Sequence, residues 1–361
     1  MMKPGYRKIV VKIGSNVLAG KDGFMDLPRI EHLSAQLAQL KARGLEVILV
    51  SSGAVASGRS MISVPEKKDA ISARQLLASV GQVKLINTYS RFFETHDIVC
   101  AQVLVTREDF RDRKHYLNMK NCFEVLLQHK VIPIVNENDV VSVTELMFTD
   151  NDELAGLVAT MLNADALIIL SNVDGVYNGD PKMPGTEVIR EIKVTDTNFA
   201  SFVSPGKSQF GRGGMITKTA MAQKVARLGI PVHIANGTTE NVLQKIMDNA
   251  IVHTQFIPAR TASGAKKWIA TSGNAATGAV RINEGARQAL VSGTQAASLL
   301  PVGIIAIEET FQKGDIIRLI DEHDQLIGWG IAQYGAEKAR ERMGERNQKP
   351  LVHYDYFYAA V

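Results

Sequence analysis

Two short strand patterns and the turns that end them constrain this chain most. Ile9-Val10-Val11-Lys12-Ile13 runs into Gly14-Ser15-Asn16, and Glu46 to Val50 runs into Ser51-Ser52-Gly53-Ala54. Between them Asp26 caps a helix with Pro28 in its first turn. Ile30, Leu33, Leu37 and Leu40 give its apolar stripe, and Gly44 ends it. Strand, helix, strand at this spacing is a right-handed parallel crossover. Ligands bind outside the carboxyl ends of strands in such sheets, where both small-residue turns lie. Lys12 is the one charged residue of the first strand. A buried lysine needs a partner, so it either reaches solvent from an edge strand or is aimed at a phosphate. The small-residue turn directly after it favours the phosphate.

The pattern repeats downstream. Helices are predicted over 72–93, 116–128, 150–161, 217–228 and 240–247. Strands are predicted over 98–105, 131–135, 166–170 and 231–235. The fourth strand ends in Asn136-Glu137-Asn138-Asp139, four polar side chains that suit a turn or a substrate carrying an amine or carboxylate. Residues 140–148 fit a hairpin or lid. Thr149-Asp150-Asn151-Asp152-Glu153 opens the next helix. Asp150 with Glu153 resembles a capping box, which leaves Asn151 and Asp152 unexplained by capping. The fifth strand ends in Ser171-Asn172-Val173-Asp174-Gly175-Val176-Tyr177.

Gly211-Arg212-Gly213-Gly214-Met215-Ile216-Thr217-Lys218 places three glycines before a helix start. Unpaired N–H groups and the positive end of the helix dipole suit an anion there. The same stretch read alone is equally a glycine-rich loop entering a surface helix. It is not a Walker A loop, because its lysine does not directly follow a glycine. Gly206-Lys207-Ser208 imitates one, but Ser201 stands where the leading glycine belongs.

Length and composition narrow the function classes. A chain of 361 residues favours two domains. With 45% apolar and 22% charged residues it has a globular composition, and its net charge of +4 is mild. The Met1–Tyr6 start carries no apolar signal, and no apolar run is long enough to span a bilayer, so an intracellular, cytoplasmic protein is expected. Cys100 and Cys122 lie in strand and helix patterns and are expected as buried free thiols. No Cys/His cluster has zinc spacing. Small residues over 259–273 mark a linker between residues 1–258 and 274–361. The second part reads as a small, mostly β, barrel-like domain with strands near 278–282, 303–307, 315–320 and 325–334. From Pro258 onward there are 12 Lys and Arg against 11 Asp and Glu, less basic excess than an RNA-gripping module usually carries.

Two lysines in glycine settings are what a moving phosphoryl group needs. No Ser/His/Asp hydrolase signature and no Gly-x-Gly-x-x-Gly after the first strand compete with this reading. Kinase-type transfer to a small polar acceptor follows. A carboxylate acceptor is already ionised near pH 7 and requires no strong base.

The motifs Val11-Lys12-Ile13-Gly14-Ser15, Ser51-Ser52-Gly53-Ala54-Val55, Asn136-Glu137-Asn138-Asp139, Asp150-Asn151-Asp152, Asp174-Gly175-Val176-Tyr177 and Gly213-Gly214-Met215-x-Thr217-Lys218 resemble, in order, the amino acid kinase family. Within it they are most similar to members that phosphorylate free L-glutamate. Gly285-Ala286 and Leu299-Leu300-Pro301-Val302-Gly303-Ile304 are similar to an appended PUA domain.

The resemblance implies an α/β fold, an αβα sandwich around a mostly parallel sheet. It implies ATP and Mg²⁺, and transfer to the 5-carboxylate of L-glutamate, giving L-glutamyl 5-phosphate in the first step of proline biosynthesis. Lys12 and Lys218 would stabilise the phosphoryl group, and Asp152 would orient them or act as acid/base. Ser52, Asp139 and Asn151 would bind glutamate, with Gly53 and Asn136 lining the pocket. Lys12, Ser171, Asn172 and the loop of Arg212, Gly213, Gly214, Met215, Ile216, Thr217 and Lys218 would contact the nucleotide. Metal ligands are not assigned. Proline inhibition and homo-oligomerisation are expected from the resemblance. Asn172 stands where many members have aspartate, Thr149 where glycine is frequent, and Arg212 adds charge to a loop that is often neutral. The competing readings are a kinase of acetylglutamate, aspartate, carbamate or a nucleoside monophosphate, a PUA protein that binds or modifies RNA, and a regulatory protein that kept the pocket without catalysis.

Overall fold

A computed structural model describes residues 5–20, 23–63, 69–142, 148, 150–181, 183–196, 214–259, 263–273, 276–291 and 297–360. The chain forms two compact units, Met1–Thr261 and Ala262–Val361.

In the first unit the elements follow in the order β1 (Lys8–Ile13), α1 (Ser15–Leu18), α2 (Leu27–Ala42), β2 (Glu46–Ser51), α3 (Ala54–Arg59), α4 (Ala70–Glu94), β3 (Cys100–Val105), α5 (Arg107–Arg111), α6 (Arg113–Gln128) and β4 (Ile132–Glu137). They continue with α7 (Asn151–Met161), β5 (Ala166–Ser171), β6 (Glu191–Lys193), α8 (Met215–Arg227), β7 (Val232–Asn236), α9 (Val242–Met247) and β8 (Thr254–Ile257). The strands make one eight-stranded sheet in the order β3-β4-β2-β1-β5-β7-β8-β6. All its pairs are parallel except β7 with β8. β6 and β8 were not anticipated. β6 is three residues with only Ile192 buried, too short for an apolar period to register.

β1 lies in the middle of this sheet, between β2 and β5. Successive residues of a strand point to opposite faces. Ile9, Val11 and Ile13 enter a core with Ile30, Leu33, Leu37 and Leu40 of α2, Tyr89 and Phe93 of α4, and Leu243 of α9. Each such side chain, fully buried, contributes about 1.5–3 kcal/mol. Lys12 therefore leaves the opposite face, the side on which α7 crosses β1, β2, β4 and β5. An edge-strand lysine reaching solvent is excluded, since Lys12 is 4% exposed.

Local sequence sets the helix entries. Asp26 accepts from Arg29 N at the start of α2, and Asp69 from Ile71 N and Ser72 N at the start of α4. The turn into α3 uses Gly53 at φ +110°, where a side chain would be strained. α3 and α4 meet at Gly58 and Gly81. A Cβ on Gly81 would sit inside the Ala54 carbonyl, and one on Gly58 inside the Leu77 carbonyl. The cysteines are free, but they are not buried as expected: Cys100 is half-buried and Cys122 exposed. The buried stripe of α6 is Tyr116, Phe123 and Leu127, which leaves Cys122 off the packed face.

The second unit holds α10 (Gly264–Ser272), β9 (Gly278–Ile282), α11 (Glu284–Val291), β10 (Ile304–Ile307), β11 (Ile316–Ile320), β12 (Leu326–Ile331), α12 (Ala336–Arg342) and β13 (Phe357–Ala359). Its five-stranded sheet runs β10-β9-β11-β12-β13, antiparallel apart from β9 with β11. Val280, Ile317, Leu319, Leu351 and Val352 lie in its own core. The stretch expected as linker, 259–273, contains α10. Ser263 caps this helix, and it packs on β12 and β13 through a buried face that includes Trp268 and Ile269. Small residues at 263–265 had masked that apolar face.

Candidate active site

The carboxyl ends of β1, β2, β4 and β5 converge with the first turn of α7. The sheet order reverses around β1, where open α/β sheets form a crevice. Asp150 caps α7, and its Oδ1 accepts from the backbone N–H groups of Asp152 and Glu153. The expected pairing of Asp150 with Glu153 is thus half present. The Glu153 side chain pairs with Arg107 at 2.6 Å. Capping fixes the first turn of α7 and presents Asn151 and Asp152 to two different neighbours.

Asp152 is fully buried and sits between two lysines. Lys12 Nζ lies 2.5 Å from Oδ1 and Lys218 Nζ 2.8 Å from Oδ2. Burial alone would raise the Asp152 carboxyl, but the Lys12 and Lys218 ammoniums outweigh it and hold it below the ordinary range. Two cations thus share one anion, with the Asp150 carboxyl close by. The Lys218 side chain is 12% exposed against 5% for Lys12, which makes Lys218 the more accessible of the two. The backbone around Lys12 is close-packed, with Gly14 N donating to Leu170 O and the Gly14 Cβ position 3.6 Å from Lys12 Nζ.

Asp150 also accepts a hydrogen bond from Thr217 Oγ1 at 2.8 Å, which ties α7 to the start of α8. Burial first, and then the Asp152 charge, push the Asp150 carboxyl up. Gly214, Met215, Ile216, Thr217 and Lys218 form the entry to α8, with Gly214 as its N-cap. Arg212 and Gly213 lie outside the described residues, as do Gly211, Thr149, Gly206-Lys207-Ser208 and most of the expected 140–148 excursion. Ser171 ends β5, and its hydroxyl is 3.4 Å from Asn172 Oδ1. Asp174 accepts from Tyr177 OH and Asn236 Nδ2, which fixes the turn after β5.

Asn151 Nδ2 reaches Ser52 Oγ at 2.9 Å and Asn136 Oδ1 at 3.0 Å. Asn136 Nδ2 donates to Gln82 Oε1 of α4. Asn151 thus joins two other sequence-expected residues, Ser52 and Asn136, with Gly53 next to Ser52 in the turn. Asp139 is 7% exposed and held by Arg74, whose Nε lies 2.7 Å from Oδ1. The same guanidinium reaches Glu137 Oε2 at 3.3 Å. Gln82, Arg74 and Glu137 were missed as site residues. Glu137 stood inside the polar cluster without a role. Arg74 and Gln82 belong to a helix whose pattern carries only packing information.

Comparison with known proteins accords with this geometry. The model of the amino acid kinase family matches residues 7–236, and that of the PUA domain matches residues 278–354. The chain belongs to the amino acid kinase family. The kinase is 53% identical over 355 residues to a protein of Chlorobaculum tepidum named glutamate 5-kinase, covering 98% of each chain. It is 52% identical over 360 residues to one of Bacteroides thetaiotaomicron with the same name, covering 99% of each. Among solved structures, carbamate kinase from Giardia lamblia bound to AMP-PNP is similar at TM-score 0.52 and 18% identity. That alignment covers 71% of this chain and 99% of the other, and it supports the fold.

Proposed function

We infer that the kinase transfers the γ-phosphoryl group of ATP to the 5-carboxylate of L-glutamate, giving L-glutamyl 5-phosphate and ADP, the first step of proline biosynthesis. One observation carries the reading: two lysines share the buried Asp152 beside a pocket of amide, hydroxyl and carboxylate groups. A carboxylate oxygen of the acceptor forms the new bond to phosphorus as the bond to the β-phosphate oxygen breaks. The acceptor is already ionised, so charge cancellation and alignment limit the rate. Lys12 and Lys218 provide the cancellation. Asp152 positions them, and its oxygens are engaged and its carboxyl held low, so it is a poor base.

Ser52, Asn136 and Asn151 bind the substrate beside Gly53, and Asp139 takes its ammonium group. Ser171, Asn172 and the stretch from Arg212 to Lys218 bind the nucleotide. Asp150 accepts from protein N–H and O–H donors, and both Asp152 oxygens are ion-paired with lysines. The site therefore fits a Mg²⁺ held chiefly by nucleotide oxygens and water, as that ion prefers. When bound, it would neutralise phosphate charge. Among the described residues no helix is long and apolar enough to cross a membrane. We place the kinase in the cytoplasm and extend the proposal to proline inhibition and homo-oligomerisation. RNA contact through the second unit is not part of this reading, given its balanced charge.

Hydroxylamine trapping of the acyl phosphate tests the assignment, run with L-glutamate, L-aspartate and N-acetyl-L-glutamate, with and without proline. Hydroxamate from glutamate in preference to the other two is expected. Product from aspartate or acetylglutamate but none from glutamate would reject the substrate.

A further inference from the structure

We propose that Arg74 is a specificity-determining residue that receives the α-carboxylate of the amino-acid substrate, beside the Asp139 that takes its ammonium. The proposal rests on the glutamate reading above. Arg74 lies near the start of α4, and its guanidinium crosses to the residues that end β4. Nε and Nη2 are spent on Asp139 Oδ1 and Glu137 Oε2. A guanidinium has five N–H donors in a rigid planar fork. Among the described residues nothing engages its Nη1 edge, and the side chain is 27% exposed. The two carboxylates it joins are buried, at 4% and 7% exposed. One cation thus joins two anions at this end of the pocket.

A free α-amino acid carries an ammonium and a carboxylate on one carbon. Asp139 and Glu137 favour the ammonium, and the open edge of Arg74 offers the carboxylate paired donors. The other end carries two cations, Lys12 and Lys218, around Asp152. The two ends are linked by contacts: Asp152 adjoins Asn151, Asn151 bonds Asn136, and Asn136 adjoins Glu137. A zwitterionic head at Arg74 and Asp139 would point a second carboxylate toward the lysines. A substrate with an acylated nitrogen or an amidated α-carboxylate forgoes one of these charge-assisted contacts.

The test compares L-glutamate with L-isoglutamine, its α-amide, in the hydroxamate assay on the full-length chain. Wild type is expected to prefer glutamate in kcat/KM by about 10- to 100-fold, the range for hydrogen bonds to charged groups. Arg74→Gln is expected to lose most of that preference, because glutamate turnover falls while isoglutamine turnover changes little. Arg74→Lys, which keeps the charge without the fork, is expected to be intermediate, and it carries the test if the glutamine variant does not fold. A merely structural Arg74 would lower both substrates equally and leave the ratio unchanged, which overturns the proposal. So would a wild type indifferent to the α-amide. Absence of hydroxamate from glutamate in wild type would instead reject the glutamate reading itself.

Discussion

In the proposed mechanism Lys12, Asp152 and Lys218, joined by two ion pairs, concentrate the chemistry in three side chains. In the proposed transfer Lys218, at the start of α8 and 12% exposed, follows charge as it moves between phosphate and carboxylate. Lys218→Ala should lower kcat by about a hundred- to thousandfold, the cost of about 2.7–4 kcal/mol seen when one transition-state donor is lost. The glutamate KM should stay close to wild type, which steady-state hydroxamate kinetics would report; a rate within about twofold of wild type would remove Lys218 from the mechanism. Asp152→Asn strands two buried ammoniums and should cost about 3–5 kcal/mol of stability. Its pH dependence has a definite sign. The folded carboxyl is held below its unfolded value of about 3.9, so its stabilisation is complete above that value and is lost as pH falls through the folded value. The difference in Tm between wild type and Asp152→Asn should be full near pH 7 and shrink steadily below pH about 4. Asp150 has the opposite sign, because its raised carboxyl costs stability above its folded value and the cost is relieved on protonation. A Tm difference for Asp152→Asn that stayed constant into acid would argue against the charged cluster.

The α3–α4 crossing bears on the proposed substrate end through two helices rather than through one residue. α4 carries Arg74 and Gln82 to the pocket, and α3 starts at the Ser52-Gly53 turn. Their backbones approach at Gly58 and Gly81, with no room for a side chain. Gly81→Ala should force the helices apart and destabilise the fold by about 1–3 kcal/mol, as overpacking does. The same shift moves Ser52 against Arg74, so the glutamate KM should rise alongside the drop in Tm. Thermal melting and KM measured on one preparation would show both. A Tm fall with KM unchanged would mean the pocket does not depend on this crossing. The pattern of α4 hides this, since glycine in a helix reads as a weak point and only the neighbouring helix gives it a purpose.

At the scale of the molecule, each unit has a core of its own: among the described residues the core around β1 is built from the first unit and the core around β11 from the second. Every proposed catalytic, substrate and nucleotide residue lies before Thr261. A fragment of residues 1–261 should therefore fold and form glutamate hydroxamate, at a rate within about an order of magnitude of the full chain, since domains with their own cores can fold alone. Circular dichroism and the trapping assay would check it. A folded fragment without activity would assign the second unit a part in catalysis. The stretch placed as linker from composition holds α10 because this helix, short and introduced by small residues, shows its apolar face only against β12 and β13.

Much of the site was legible in the linear chain. Strand ends rich in Gly, Ser, Asn and Asp announce a binding edge, because each strand of a parallel crossover sheet delivers its carboxyl end to the same side. Lys12, Ser52, Asn136 and Asp139 stand in or next to such strand ends, and Asn151, Asp152 and Lys218 at helix starts. Sequence could not decide whether Lys12 was at an edge or in the centre, since strand order is set by pairing between residues far apart in the chain. Nor could it find Arg74, whose meaning comes from two carboxylates more than sixty positions away. Local backbone preference writes itself into neighbouring residues. Charge pairing across a fold does not, and here it makes Asp152 the shared partner of two lysines and Arg74 the shared partner of two carboxylates.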